Sequence, residues 1–340
     1  MLNTETSRIP IVFAANNYYV PYMAAAIQSV MENAAHNRQY IIYILYQDIT
    51  DDNISLLKNQ ITHFLQFSIK FINVNKYISK YNLFVSRHVT VETYFRLLIP
   101  ELLCEYQKAI YLDGDMICCT DIASLFDIDL GDHLFAAVRD LGVAWYYSPN
   151  HSEGMKTIYS SVLLQLKKPD EYFCGGMCVF NIQLIRKTIS TDKLFELAVS
   201  REWQVHDQDI LNYLGEGKTI LLHYHWNLML TSNAKYLPEP LQNEYNEAVE
   251  NPKIVHYKPW NCENYITHFE LFWKYATRTP FIAIIIERMK PKGLIFKDKE
   301  SYKERIILNI KHRDGIGIRF IIFDCLKAWL FRDKKIKNAT

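Results

Sequence analysis

The absences in this chain narrow its function first. No run approaches the ~18 apolar residues of a membrane-spanning helix, and Met1 to Pro10 lacks the apolar core of a signal peptide. The cytoplasm is therefore the expected location. No G-x-G-x-x-G follows the first apolar segment, and no G-x-x-x-x-G-K-[ST] occurs anywhere. Those loops cradle phosphates in dinucleotide dehydrogenases and P-loop enzymes, so both classes are disfavoured. The net charge is only +1, which argues against a general nucleic-acid binder. Seven cysteines, an odd number without the spacing of a small disulfide framework, point to reduced thiols. Cys174 and Cys178 are spaced like half of a metal site, but no second pair partners them and core packing is the better reading. Internal repeats and low-complexity segments are absent too.

What is present reads as an α/β unit. Ile9 to Ala14, Tyr40 to Tyr46 and Ser68 to Val74 are apolar strands. Between them lie a helix from Pro21 to Asn33 and a second one opened by Asp51 and Asp52. The second carries Ile54, Leu57, Ile61, Phe64 and Leu65 at helical spacing. This alternation implies a parallel sheet with right-handed crossovers. Glu92 to Leu103 reads as helical with a break near Pro100, and Ala109 to Leu112 as a strand. Leu134 to Val138, Met177 to Phe180 and Thr219 to Leu222 are shorter strands, and Asp207 to Leu214 a short helix. Leu141 to Lys168 reads as a long connection over the site. Charge divides unevenly: from Phe281 onward there are 15 Lys and Arg against 7 Asp and Glu. An acidic body, 1–280, is thus followed by a basic extension, 281–340, suited to an anionic partner.

Asp113-Gly114-Asp115 ends the apolar run Ala109 to Leu112. A strand that stops in Asp-x-Asp throws two carboxylates into the crevice where open α/β sheets bind ligands. Close carboxylates repel unless a cation neutralises them, and a divalent metal bridging to nucleotide phosphates does so. A tight turn, for which Asp and Gly are suited, is the other reading.

The motifs around that pair matter as an ordered set. Thr93-Tyr-Phe-Arg-Leu97 precedes it. Tyr172-Phe-Cys-Gly-Gly-Met177, His206-Asp-Gln-Asp-Ile-Leu-Asn212 and Ile254-Val-His-Tyr-Lys-Pro-Trp260 follow. The series resembles glycosyltransferase family 8, retaining enzymes of GT-A fold that include bacterial lipopolysaccharide galactosyl- and glucosyltransferases. The resemblance spans Ile9 to Trp260. It implies a Rossmann-like mixed sheet flanked by helices, and Mn²⁺ (or Mg²⁺) held by Asp113, Asp115 and His256 on a UDP-glucose or UDP-galactose donor. Gly114 lies within that grip, Lys258 is a point charge for the same phosphates, and Arg96 matches an arginine beside the nucleotide sugar. A solvated helix face is the plainer reading of Arg96. Asp207 matches a residue that accepts from donor hydroxyls, and Gln208 one beside the anomeric carbon. Ala14, Ala15 and Asn16 match the turn that holds uridine, and Gly175 and Gly176 let backbone approach the ligand.

Three positions and one loop depart from the pattern, the loop being His256-Tyr257-Lys258, which is shorter than in some relatives. Related enzymes often place Asp where Asn16 and Asn17 stand, and Asn where Cys174 stands. The expected activity is metal-dependent transfer of glucose or galactose to a saccharide acceptor of lipopolysaccharide or another bacterial surface glycan. A nucleotide-sugar-binding protein without turnover is the alternative the departures raise, and a metal-dependent phosphoesterase is a third reading. The basic extension, with Ile318 to Phe331 interleaving apolar residues and Arg319 and Lys327, suits an anionic membrane at the inner membrane's cytoplasmic face. A helix packed on the catalytic body or a dimer partner would serve the same composition.

Overall fold

The computed structural model describes residues 8–86, 89–142, 164–231, 234, 237–257 and 268–289. Seven strands form one sheet: β1 (Ile9–Ala14), β2 (Tyr40–Tyr46), β3 (Phe67–Asn73), β4 (Lys108–Leu112), β6 (Phe135–Arg139), β7 (Phe173–Asn181) and β8 (Thr219–Leu222). The fifth strand in chain order, β5 (Met116–Cys118), stands apart from it. The sheet runs in the order β3-β2-β1-β4-β7-β6-β8. β1, β2, β3 and β4 are mutually parallel, and β6 pairs parallel with β8. β7 pairs antiparallel with both neighbours, so it alone runs against the others. The sheet is the mixed one expected, with the β-α-β-α-β opening intact.

Helix α1 (Val20–Asn33) is buried along nearly its whole length, with Ala24, Ala25 and Ala26 enclosed. An all-round apolar helix of this kind is a core element. It packs against a two-stranded ribbon made by β5 and β9 (Ile254–His256). Helix α2 (Asp51–Ile61) is opened by Thr50, whose hydroxyl accepts from Asn53 N–H, with Asp51 and Asp52 in its first turn. It ends at Ile61, before the last two apolar positions read into its pattern, and Leu65 is 91% exposed. The helix closes at Thr62, so the spacing that carries Leu57 and Ile61 inward no longer applies.

Two further elements differ from expectation. Val91–Leu98 is a 3-10 segment, and Pro100 sits in the first turn of the short helix Ile99–Leu102 that follows, where a missing N–H costs nothing. β7 begins at Phe173 rather than Met177, so Cys174, Gly175 and Gly176 lie inside a buried central strand. Cys174 and Cys178 are buried free thiols, as core packing requires. Helix Ile282–Met289 opens the basic extension by packing on α1, with Ile285 fully buried beside Tyr22 and Ala25. Lys258, residues 143–163 of the expected long connection and residues 290–340 lie outside the described residues. Among the described residues, no helix is long and apolar enough to cross a membrane.

Candidate active site

The β5–β9 ribbon explains how residues distant in sequence meet. Asp115 immediately precedes β5, and the ribbon's register sets Met116 opposite His256. Tyr257 N–H then donates to Asp115 O at 3.0 Å, fixing the approach. On the other side, Asp113 N–H donates to Gly176 O at 2.8 Å, which extends the β4–β7 pairing past the end of β4. Three side chains converge as a result. His256 Nε2 lies 3.3 Å from Asp115 Oδ1 and 3.9 Å from Asp113 Oδ2, and one ligand atom from each residue falls within 4.8 Å of the others.

Whether a metal fits can be judged from the protein groups alone. Asp115 Oδ1 is buried and makes no well-formed hydrogen bond, an unusual expense unless something else meets it. The space between the ligands is kept open by Gly176, where an added Cβ would lie 2.6 Å from His256 Cε1 and 2.7 Å from Asp113 Oδ2. Any side chain there would fill the cradle. Asn227, 3% exposed, places Oδ1 3.0 Å from His256 Nδ1. With Nδ1–H donated to that oxygen, Nε2 is the nitrogen left to face the carboxylates. Burial alone would lower the imidazole pKa, but Asp115 outweighs it and holds the group well above its ordinary value. Positive charge therefore belongs at this point, and two carboxylates with one imidazole suit a borderline divalent ion. The residues fit.

Arg96 is the second organising group. It is 5% exposed, which overturns the solvated-face reading. Its Nη2 lies 3.3 Å from Asp113 Oδ1 and its Nε 2.7 Å from Asp207 Oδ2. Nη1 donates to Gly175 O, and the guanidinium lies 4.4 Å over the Tyr111 ring. Tyr111 OH in turn donates to Asp113 Oδ1 at 2.7 Å. Asp207 is 1% exposed and also accepts from Thr93 Oγ1. Burial outweighs the pull of Arg96 and Thr93 and leaves its carboxyl raised to about 6, so the pair is ionic at neutral pH. Asp207 thus meets Arg96 and Thr93 in this structure, with little surface left toward the crevice.

Gln208 is more open, and both ends of its amide are held. Gly175 N–H donates to Oε1 at 2.9 Å, and Nε2 donates to Asp140 Oδ2 at 2.8 Å. Asp209 and Asn212 lock the same helix, His206–Gly215, to the sheet. Tyr172 OH and Val205 N–H donate to Asp209 at 2.7 and 2.8 Å, and the Asn212 amide brackets Phe173 through both that residue's N–H and its carbonyl. Beside these groups runs a crevice of about 140 Å³, whose lining includes Ala14, Ala15, Asn16, Arg96, Asp113 and Asp115. Nearly the whole expected set is therefore gathered at one place.

Asn227 and Asp140 escape the sequence reading. Neither sits in a recognisable motif; Asn227 follows a short 3-10 turn and Asp140 the end of β6. A polar residue closing an apolar strand is the only signal Asp140 gives, and Asn227 gives none.

Comparison with known proteins accords with the geometry. The family model described as glycosyl transferase family 8 matches residues 10–263. General stress protein A of Bacillus subtilis (strain 168) is 26% identical over 287 residues, covering 81% of this chain and 95% of that protein. Lipopolysaccharide 1,2-glucosyltransferase of Escherichia coli (strain K12) is 24% identical, covering 77% and 75%. Among solved structures, the bifunctional glycosyltransferase WbbM superposes with a TM-score of 0.75 at 26% identity, over 85% of this chain. The chain spans about half of that larger protein, 53%. The galactosyltransferase LgtC, solved with donor and acceptor sugar analogues, gives 0.65 at 25% identity, over 80% of this chain and 96% of LgtC.

Proposed function

Since the chain belongs to glycosyltransferase family 8 and has the GT-A fold of a glycosyltransferase, we propose that it is a metal-dependent, retaining hexosyltransferase. Its donor in this reading is UDP-glucose or UDP-galactose, and its acceptor a saccharide of lipopolysaccharide or another bacterial surface glycan. The observation that carries the proposal is the convergence of Asp113, Asp115 and His256 on a Gly176-lined space beside the crevice. A lipopolysaccharide glucosyltransferase and a galactosyltransferase among the similar proteins support the acceptor and sugar class.

The three ligands would hold Mn²⁺, or Mg²⁺ in its place, and a cation there neutralises the diphosphate of the departing nucleotide. The remaining work falls to this chain's own groups. Arg96 holds Asp113 and Gly175 in fixed relation, so the ligand side and the sugar side of the crevice move as one body. Asp207 orients Arg96. Gln208 presents an amide whose direction is set by Gly175 and Asp140, pre-organised against positive charge developing at the anomeric carbon. Lys258, two residues beyond His256, supplies a further charge to the phosphates.

Residues 1–280 form the catalytic unit in this proposal, and 281–340 an extension that touches anionic membrane. Vesicle co-sedimentation that survives truncation of the extension would remove the membrane part. For the main reading, purified protein is incubated with UDP-glucose, UDP-galactose and UDP-N-acetyl sugars, with and without Mn²⁺, and released UDP is measured. The expected result is Mn²⁺-dependent UDP release from one of the two hexose donors, with the anomeric configuration retained in the product. Tight donor binding with no UDP released would leave a binding protein instead, and sugar phosphate as the product would indicate attack at phosphorus.

A further inference from the structure

The crevice that meets the Asp113–Asp115 pair contains a second polar pair, Asn16 and Glu92. Asn16 Nδ2 donates to Glu92 Oε2 at 3.3 Å. The amide cannot turn over, because its Oδ1 already accepts from Tyr19 N–H at 3.0 Å at the entry to α1. Nδ2 therefore faces the carboxylate. One of its two hydrogens goes to Glu92 and the other is left for a ligand. Glu92 is half-buried at the start of the 3-10 segment, and its Oε1 takes no hydrogen bond from a described residue. The pair thus offers the crevice one acceptor next to one donor.

This arrangement has a complement among nucleobases. Uracil presents an imide N–H flanked by carbonyl oxygens, so Glu92 accepts from the N–H while Asn16 donates to a neighbouring carbonyl. Cytosine presents a ring nitrogen lone pair at the same place, which meets the carboxylate's own lone pairs and is repelled. Guanine also presents a ring N–H beside a carbonyl, so the pair by itself separates uracil from cytosine, and GDP is the arm of the test that decides between uracil and the purine. We infer that Glu92, with its orientation set by Asn16, is the base-reading residue of this chain and selects uracil. The inference rests on the nucleotide-donor reading above and deepens it.

It also accounts for the departure at position 16. An aspartate there would set a second carboxylate about a hydrogen bond's length from Glu92, and like charges that close destabilise one another. Asparagine removes the repulsion, keeps the hydrogen bond from Tyr19 N–H ahead of α1 and leaves the acceptor role to Glu92. The acceptor can stand on either side of the crevice but not on both.

The test is nucleotide affinity by calorimetry with Mn²⁺, using UDP, CDP and GDP on the full chain. Wild type, Glu92→Gln, Asn16→Asp and the Asn16→Asp/Glu92→Gln double variant are compared, each with a thermal melt to verify folding. Wild type is expected to prefer UDP over CDP by about 10- to 100-fold, the scale of one mismatched polar contact in a partly buried site. A glutamine at 92 can turn its NH₂ toward cytosine, so in Glu92→Gln the ratio should fall to about threefold or less. Asn16→Asp should weaken UDP, and the double variant, with the carboxylate transferred to position 16, should recover the preference for UDP. A purely structural role for Glu92 would lower both affinities together and leave their ratio unchanged. An unchanged ratio in Glu92→Gln, or GDP bound by wild type as tightly as UDP, overturns the inference. If wild type binds no nucleoside diphosphate at all, the donor reading fails, and the base assignment fails with it.

Discussion

Two groups of acidic side chains in and behind the site are built in opposite ways. Asp113 and Asp115 on one side keep oxygens open: the Asp113 side chain is 27% exposed and Asp115 Oδ1 makes no well-formed hydrogen bond. Asp209 on the other side is fully buried, with Tyr172 OH on one oxygen and Val205 N–H on the other. Asp207 stands between the two, buried like Asp209 but ion-paired to the arginine that also reaches Asp113. In the proposed reading the same residue type therefore serves as ligand where its hydrogen-bonding capacity is left unfilled, and as framework where it is filled. Satisfaction of the carboxylate, more than its burial, separates the two roles.

The comparison can be broken most severely on the open side. Asp113→Asn or Asp115→Asn should reduce Mn²⁺-dependent UDP release by about 10³-fold, roughly 4 kcal/mol of transition-state stabilisation. The metal-free melt should stay close to wild type, because an asparagine oxygen still accepts and the relieved carboxylate repulsion offsets the lost attraction to Arg96 or His256. Asp209→Ala should do the reverse. It removes the buried acceptor that Tyr172 OH and Val205 N–H share, so urea titration should show a loss of about 3 kcal/mol. Should Asp209→Ala unfold at the wild-type midpoint, the framework role is wrong.

Gln208→Ala probes the boundary between the two sides. Its amide is held by Gly175 and Asp140, yet it is only half-buried. Turnover should fall about 100-fold, near 2.7 kcal/mol, with the UDP dissociation constant changed by less than about twofold. Equal losses in both would assign it to binding alone. The smallest effect is expected at Asn227→Ala, which leaves His256 Nδ1 only the weak Cys174 thiol at 4.0 Å and keeps all three proposed ligands. Mn²⁺ affinity should drop about tenfold, near 1.4 kcal/mol, in a direct metal titration.

The open side is easier to read in the sequence than the filled one. Asp-x-Asp after an apolar strand, followed by the His206 and His256 blocks in order, is a pattern of residue types, and pattern survives without coordinates. The filled side depends on which oxygen meets which hydrogen. Asp207 and Asp209 look alike in sequence, yet one faces Arg96 and the other Tyr172. β5 and β9 have three residues each, too short for alternation to mark them. The start of β7 is hidden because two consecutive glycines carry no strand signal, whereas they serve close packing around Arg96 and His256 inside a strand. Leu65 shows the converse failure: helical spacing continues on paper after the helix has stopped.

The two-stranded ribbon carries a consequence for the order of assembly. The large sheet gains its last strand at Leu222, whereas His256 arrives on β9, well downstream. A chain growing from its N-terminus can thus close the sheet and set the acidic couple in place before the imidazole has been made. Contacts of such long sequence separation form late in folding as well. If the proposed site holds a cation, that competence waits until the chain has reached β9, and a fragment ending between β8 and β9 would lack the third donor.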